Sequence, residues 1–561
     1  VLHDTGLRAE RVRFRQYVLV AQVTPSVRAD STAAPAPRAT LAGFVVDAET
    51  GERLPGAHVY LPELRVGTVT NDAGYFALAA LPPRIYAVRV SYLGFRTLHA
   101  ALQADAAPAT LGLQPTTLQA QDIVVEGDRD SLVDLTTVPG VVAVPVNQLE
   151  KLPSFPGEHD LFQALQWFPG VQKVGDVNGG LVVRGGEPDQ NLYLLDGAPI
   201  YHPWHAFSLI STFQTETLRD IKLYRGAFPA EHGGRLAAVL DAQMRDGTRS
   251  EPRAVAALSI LSGRFLIETP VTRHSSFMLS GRRSYLDKLI GREHPVEDAA
   301  GGRDTLRTGY YFYDTSAKYA WRRGTRHRLS ASFYEGGDAL DLRLPFDLSF
   351  DLSWLRPADL YFEVDQHWRN RLLSLRYQYL YASRAFLTVT AYRSAYRAAE
   401  GAYLRPTGTS DLSSDYDVRL VDLGARVELD YYHSVAHQFR LGLQVVDRKF
   451  ESTLDAMLRR SPGSADSLAQ HSRSHAAEAV VYLQDTWQPG PHWRVQPGLR
   501  ASFFGDGAYF RVNPGLNLQY TVVPERLVVR GGAGVQADGR ADGDVHGGHF
   551  APWWWCGGGR S

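Results

Sequence analysis

Residues 202–205 read His-Pro-Trp-His, which sets two imidazoles three positions apart. Imidazole is a common metal ligand, but a site needs three or four ligands, each held by a further partner. No third ligand stands at a readable spacing, so the pair reads as a structural loop, and no metal or cofactor is expected. Arg184, in Arg184-Gly185-Gly186, has the planar fork that binds anions. Asp196, before Gly197, has the chemistry of a turn residue, because its carboxylate bonds its own backbone. No Gly-x-Ser-x-Gly elbow, phosphate-cradling glycine loop or pair of catalytic acids appears. The chemistry on offer is recognition rather than bond making, and an enzyme is not expected.

The stretch 179–247 must position these residues. Three short apolar runs, Leu181–Val183, 192–195 and 221–224, lie between glycine clusters. Each run has strand length, and each gap has turn chemistry. Gly185, Gly186, Gly197, Gly226, Gly233 and Gly234 supply backbone freedom there. A short helix-like connection covers 215–221. Upstream, Leu161, Phe162 and Leu165 fall at helical spacing, Asp160 is placed to cap them, and Phe168-Pro169-Gly170 stops the helix. Together these elements make a compact mixed α/β module.

Composition bounds the surroundings. A chain of 561 residues holds two or more domains. A net charge of −1 excludes the basic excess of a nucleic-acid binder. Cys556 is the sole cysteine, so no intrachain disulfide forms. No run of about 18 apolar residues occurs, which leaves a β-barrel as the remaining way to span a bilayer.

Upstream, 41–113 alternates in short strands at 41–46, 58–61, 74–78 and 86–90. Turn signals at 47–51, 55–56, 71–74 and 82–83 separate them, as in a small antiparallel sandwich. Beyond residue 254 the strands lengthen. Val421, Leu423, Ala425, Val427, Leu429 and Tyr431 share one face, with Asp422, Gly424, Arg426, Glu428 and Asp430 on the other. Leu373, Leu375, Tyr377, Tyr379 and Tyr381 repeat the pattern. Segments of about ten residues, apolar outward and polar inward, mark outer-membrane barrels. Residues 338–356 and 452–474 break the alternation and read as long extracellular loops.

Several ordered pieces carry a resemblance: Phe168-Pro169-Gly170-Val171, Val183-Arg184-Gly185-Gly186, Asn191-Leu192-Tyr193-Leu194-Leu195-Asp196-Gly197, Tyr224-Arg225-Gly226, and Phe228-Pro229-Ala230 followed by Gly233-Gly234-Arg235. Their order and spacing resemble the plug domain of TonB-dependent outer-membrane receptors. Residues 263–290 resemble the first barrel hairpin of the same family. GFVVDAETGERLPGAHVYL and the segment after it resemble the carboxypeptidase regulatory-like domain, a noncatalytic seven-stranded sandwich in that family. The resemblance implies a receptor in the outer membrane of a Gram-negative-type bacterium. It would bind a scarce extracellular ligand and import it by energy-coupled plug movement. It also implies that Arg184 and Arg235 pair with acidic residues of the barrel wall. The implied partners are a TonB-type inner-membrane energy-coupling complex, outer-membrane lipid and an unidentified extracellular ligand, with a surface lipoprotein as a further candidate.

The segment 117–130, TLQAQDIVVEGDRD, stands where extended receptors of this kind keep their TonB box. Asp122, Ile123, Val124, Val125, Glu126 and Gly127 are its candidate residues, since an extended apolar segment can add a strand to another protein's sheet. A last strand of the sandwich, or an inert linker, fits the same residues.

The expected fold is mainly β: a small β-sandwich, a mixed α/β plug, then an incomplete antiparallel transmembrane β-barrel. Expected boundaries are a leader and linker at 1–38, the sandwich at 39–115, the linker with the candidate box at 116–131, the plug at 132–248 and the barrel at 249–535. A Gly/Trp-rich tail fills 536–561. The leader reads equally as a degraded signal or as an unstructured segment. Roughly a dozen strands are countable, against the 22 the resemblance implies, and the tail has lost all alternation, as a truncated or frameshifted gene would. The alternative is a soluble or surface binding protein that holds carbohydrate or peptide on the sandwich, against which the long apolar faces speak.

Overall fold

The computed structural model describes residues 7–13, 16–21, 38–116, 140–143, 146, 160–173, 180–206, 208–289, 294–297, 303–346, 360–406, 411–461, 464–505, 509–523 and 527–535. Strands β1 (Leu7–Arg13) and β2 (Gln16–Ala21) pair as an antiparallel hairpin that forms a unit of its own. The stretch read as a leader is thus strand-paired where it is described. Residues from Ala39 onward form the second unit. The candidate box at 122–127 and the tail at 536–561 lie outside the described residues.

Seven strands build the sandwich: β3 (Ala39–Asp47), β4 (His58–Leu61), β5 (Val66–Val69), β6 (Tyr75–Leu81), β7 (Ile85–Ser91), β8 (Leu98–Gln103) and β9 (Ala109–Leu113). They lie in two sheets, ordered β6-β3-β9 and β5-β4-β7-β8. Period-two alternation sends Leu41, Val45, Val59, Phe76, Leu78 and Val88 into the space between them. The Asn71 carboxamide accepts the backbone N–H groups of Ala73 and Tyr75, each at 3.0 Å, which closes the turn into β6. The sandwich is not wholly antiparallel, because β9 returns to lie parallel to β3.

The plug comprises β10 (Val142–Ala143), helix α1 (Leu161–Leu165), β11 (Val171–Lys173), β12 (Leu181–Val183), β13 (Asn191–Leu195), β14 (Ala198–Pro199), β15 (Trp204–His205), β16 (Ile210–Ser211), β17 (Leu218–Arg225) and β18 (Ala238–Met244). Its main sheet runs β10-β17-β18-β13-β14, with β13 parallel to β18. The expected helix-like connection shrinks to a 3-10 turn at Thr215–Thr217, and the rest of it joins β17. Asp160 caps α1 by accepting the Gln163 N–H at 2.9 Å. Asp196 and Gly197 alone separate β13 from β14, with φ of 47° and 79°. Two positive φ values in a two-residue loop define the hairpin turn that Asp-Gly favours.

The wall is a sheet of β19 (Arg253–Leu258), β20 (Ser262–Thr272), β21 (Ser275–Ser284), β22 (His294–Glu297), β23 (Arg303–Arg323), β24 (His327–Phe346), β25 (Leu360–Ala382), β26 (Ala385–Pro406), β27 (Asp411–Tyr432), β28 (His437–Ser461), β29 (Ser464–Trp487), β30 (Trp493–Phe504), β31 (Tyr509–Val523) and β32 (Leu527–Gly534). All but β22, which pairs off the path with β23, follow one another antiparallel. Its end strands, β19 and β32, are not paired with each other among the described residues. On β27, Leu423 is 59% exposed outward while Asp422 is fully buried inward. The outward apolar run Tyr431 to Val421 takes ten steps along the chain, about 33 Å along a strand, or about 25 Å of height at a typical barrel tilt. Tyr381, Tyr431, Trp487 and Trp493 ring its lower border, as interfacial aromatics do. Where they are described, the two segments read as loops are strand: β24 runs on to Phe346, and β28 and β29 extend through 452–461 and 464–474. On these extensions of β28 and β29 both strand faces meet water, which erases the alternation that marks a strand in sequence.

Candidate functional site

The plug is fastened to the inner face of the wall by buried charge. Asp196, carried by the Asp-Gly hairpin, accepts the Met244 N–H at 3.1 Å and the Ser332 hydroxyl at 2.5 Å. Lys318 on β23 reaches it at 3.1 Å and also approaches Asp246, just past β18, at 3.5 Å. Asp246 takes Arg328 of β24 at 2.6 Å. Burial opposes ionisation of both plug carboxylates, but the surrounding cations, Lys318 for Asp196 and Arg328 for Asp246, hold them below their ordinary values. Gly197 has φ of 79°, a conformation that favours glycine, and a Cβ there would also have to displace the Arg376 guanidinium of β25, 2.7 Å away.

A second fastening centres on His205 of β15. Its Nε2 lies 2.9 Å from Asp314, and its Nδ1 hydrogen-bonds Asp338. With a carboxylate at each nitrogen, both nitrogens donate, which is the imidazolium form. Burial works against that charge, yet Asp314 and Asp338 outweigh it and push the pKa up to about 9. The ring is stacked between Phe312 and Trp368, with centroids 4.7 and 5.2 Å away. Arg282 binds Asp314 through Nε at 2.8 Å and donates to the Ser211 carbonyl at 2.7 Å. The Ser211 N–H in turn donates to Asp160, the cap of α1. A hydrogen-bonded chain therefore runs from His205 through wall residues to the first described helix of the plug. Ala206 and Ser208 have φ of 50° and 73°, so the loop after His205 is held in a conformation that L side chains rarely adopt. His202 is half-buried, 4.3 Å from the Trp368 ring, and desolvation drives its pKa down to about 4.

Around the plug's edge, Arg440 binds Glu231 and Asp430, Tyr201 donates to Asp422, and Arg264 meets Glu216 at 2.9 Å. The Arg225 Nε donates to the Gly140 carbonyl at 3.1 Å, joining β17 to the start of the plug. Arg184 is exposed, and its guanidinium lies against Gly140 and Gly226. Arg235 donates to the Gly234 carbonyl. Among the described residues neither arginine forms an ion pair with the wall, unlike the pairing the resemblance implies. Asn191 bonds the Leu181 carbonyl at 2.6 Å, Gly185 and Gly186 form the turn after β12, and Gly233 rests on Arg500. Among the described residues no group of three or more His, Cys, Asp or Glu side chains is arranged so that it could hold a metal ion. Asp196 is a charge anchor as well as a turn residue. Sequence reasoning missed Lys318, Arg328, Asp314, Asp338 and Arg282. Their signal was present as charges on the inward face of strands whose outward face is apolar.

The pattern of the TonB-dependent receptor plug domain matches residues 134–239, and that of the TonB-dependent receptor-like β-barrel matches 294–536. This chain belongs to the TonB-dependent receptors. The CarboxypepD_reg-like domain matches 41–125. No curated protein matches the sequence. Among solved structures, the chain is similar to the ferric enterobactin receptor PfeA of Pseudomonas aeruginosa, in complex with BCV-L6. The two are 17% identical, with a TM-score of 0.50 over 71% of this chain and 62% of that one. It is also similar to the outer membrane transporter YddB of Escherichia coli, at 13% identity and a TM-score of 0.50 over 70% of this chain and 60% of that one. At such identities the likeness is one of fold. The chain thus spans less than two thirds of either receptor's length. This TonB-dependent receptor is an outer-membrane protein with a sandwich, a plug and a barrel wall, in a family of receptors and transporters rather than enzymes.

Proposed function

We propose that this receptor binds a scarce extracellular ligand above its plug and imports it when a TonB-type complex in the inner membrane pulls on the segment Asp122, Ile123, Val124, Val125, Glu126 and Gly127. The observation that carries the reading is the seal. At the level of the apolar belt, ion pairs and hydrogen bonds at Asp196, His205, Asp246 and Glu231 fasten the plug to the wall beside its apolar contacts. Polar contacts of this kind can be exchanged for water, whereas a fully apolar interface has no such substitute. The proposed division is a linker at 116–131, a plug at 132–248 and a wall at 249–535, so the pulled segment leads straight into the plug.

The test is Val124→Pro in the membrane-inserted chain, probed with the periplasmic domain of the TonB protein from the same genome. Proline cannot donate to an added strand. Binding is expected to fall at least tenfold with insertion unchanged. Equal binding by the variant would overturn the assignment of the pulled segment.

A further inference from the structure

The sandwich is docked beneath the plug, and the contacts it makes there are unlike those of an idle appendage. On the plug side, Glu52 accepts the Asp246 N–H at 2.5 Å, Asp72 meets Lys222 of β17 at 3.2 Å, and the Tyr92 hydroxyl lies 3.3 Å from Asp220. Those residues belong to β17 or to the exit from β18. They are the base of the same sheet whose other residues anchor the plug to the wall. On the wall side, Tyr75 is fully buried between Phe386 and Tyr432, with ring centroids 5.3 and 5.8 Å away, and its hydroxyl donates to the Ser383 carbonyl at 2.7 Å. Asn71 reaches Asp430, and Arg322 and Arg249 both donate to the Gly51 carbonyl. One domain thus bridges wall and plug at the mouth of the barrel.

The interface is also built to come apart. Arg53 is buried over the Phe44 ring, 3.4 Å from its centroid, and its Nη1 has no hydrogen-bond partner among the described residues. Glu52 is buried beside Asp246, and burial first, then that like charge, raises its pKa. Desolvated charges without full partners weigh against the docked state, so release regains their hydration.

Chain connectivity sets the order of events. The sandwich is anchored up to Thr116, whose N–H donates to the Gly94 carbonyl, and the plug is anchored from Gly140. Asp122 lies six residues after Thr116, whereas Gly127 lies thirteen before Gly140. Fully extended, those tethers reach about 20 and about 45 Å. A pull applied between them tightens the sandwich tether first.

We propose that the sandwich is a periplasmic latch: docked, it holds the base of the plug sheet against the wall, and tension on the 122–127 segment must undock it before the plug can move. The latch builds on the pulled segment proposed above, but its test does not depend on what pulls. A DNA handle is attached at Val124→Cys, in a Cys556→Ser background, to the full chain held in a lipid nanodisc, and the force is raised steadily. Two events are expected, sandwich release and then plug extraction. Asp72→Lys, which sets two cations face to face with Lys222, and Phe386→Ala, on the wall, should each at least halve the force of the first event. In the ligand-free variants, amide exchange in β17 and β18 should rise at least tenfold, with the sandwich's own core amides unchanged as the control for folding. Plug extraction with the sandwich still docked, or β17 and β18 exchange unmoved once the sandwich has left, would overturn the latch. Loss of TonB binding in the separate Val124→Pro test bears on the pulled segment and leaves both readouts here standing.

Discussion

His205 shows how far a residue's role depends on what the fold brings to it. In sequence it is half of a histidine pair with no third ligand. In the fold its ring is pinned by Asp314 and Asp338, with Arg282, Tyr310, Tyr334 and His202 as the other titratable neighbours of that cluster. Because its pKa is raised from 6.5 to about 9, the folded state gains stability that is complete below the ordinary histidine value and lost as pH rises through about 9. Plug stability in denaturant, followed from pH 7 to pH 10, should therefore fall across that window in the parent protein. His205→Asn should be less stable at pH 7 and should lack that step. An equal step in the variant would assign the pH dependence to another group. The clamp was not legible in the sequence, because Asp314 and Asp338 lie more than a hundred residues from His205. Asp196 was half legible. Its turn is written in Asp-Gly, while its partner Lys318 is a long-range contact that leaves no local pattern.

At the scale of elements, the wall strands were legible only where the bilayer imposes a pattern. Inside the belt each strand has one face toward lipid and one toward the plug, so Val421, Leu423, Val427 and Leu429 alternate with Asp422, Arg426 and Glu428. At its upper edge β28 carries Asp447, Lys449 and Glu451 outward, opposite Leu423, Val421 and Arg419 of β27, and His475 and Arg473 on β29 pair with the first and last of these; beyond them the strand reads as loop. The boundary predicts opposite tolerance on one sheet. Val427→Arg, near the middle of the belt, should cost about 2–4 kcal/mol of unfolding free energy in lipid vesicles. Asp455→Arg, exposed on the upper part of β28, should change it by less than about 0.5 kcal/mol, as surface substitutions usually do. Urea titrations of the two variants against the parent measure both. Similar losses would mean that the belt is misplaced.

For the whole molecule, the three modules were separable in sequence because each has its own period and turn chemistry, but their arrangement was not. The sandwich docks through pairs such as Tyr75 with Ser383 and Asn71 with Asp430, more than three hundred residues apart, and each partner looks ordinary in its own strand or turn. That docking fixes the polarity of the wall. Arg322, Ser383, Asp430 and Gln438, the residues that receive the sandwich, all lie at or beside the short connections between strands. The long strand ends, at 411 and at 464–470, lie at the opposite rim. The energy-coupling partner proposed above would work from the periplasm, so the sandwich and the short turns should face inward and the long ends should stand outside the cell. In a Cys556→Ser background, Ser467→Cys should react with a membrane-impermeant maleimide on intact cells. Thr325→Cys, in the exposed turn between β23 and β24, should react at least tenfold more after the outer membrane is opened than before. The reverse pattern would place the sandwich outside the cell, where it could not receive an inner-membrane pull, and would remove the basis for both the import reading and the latch.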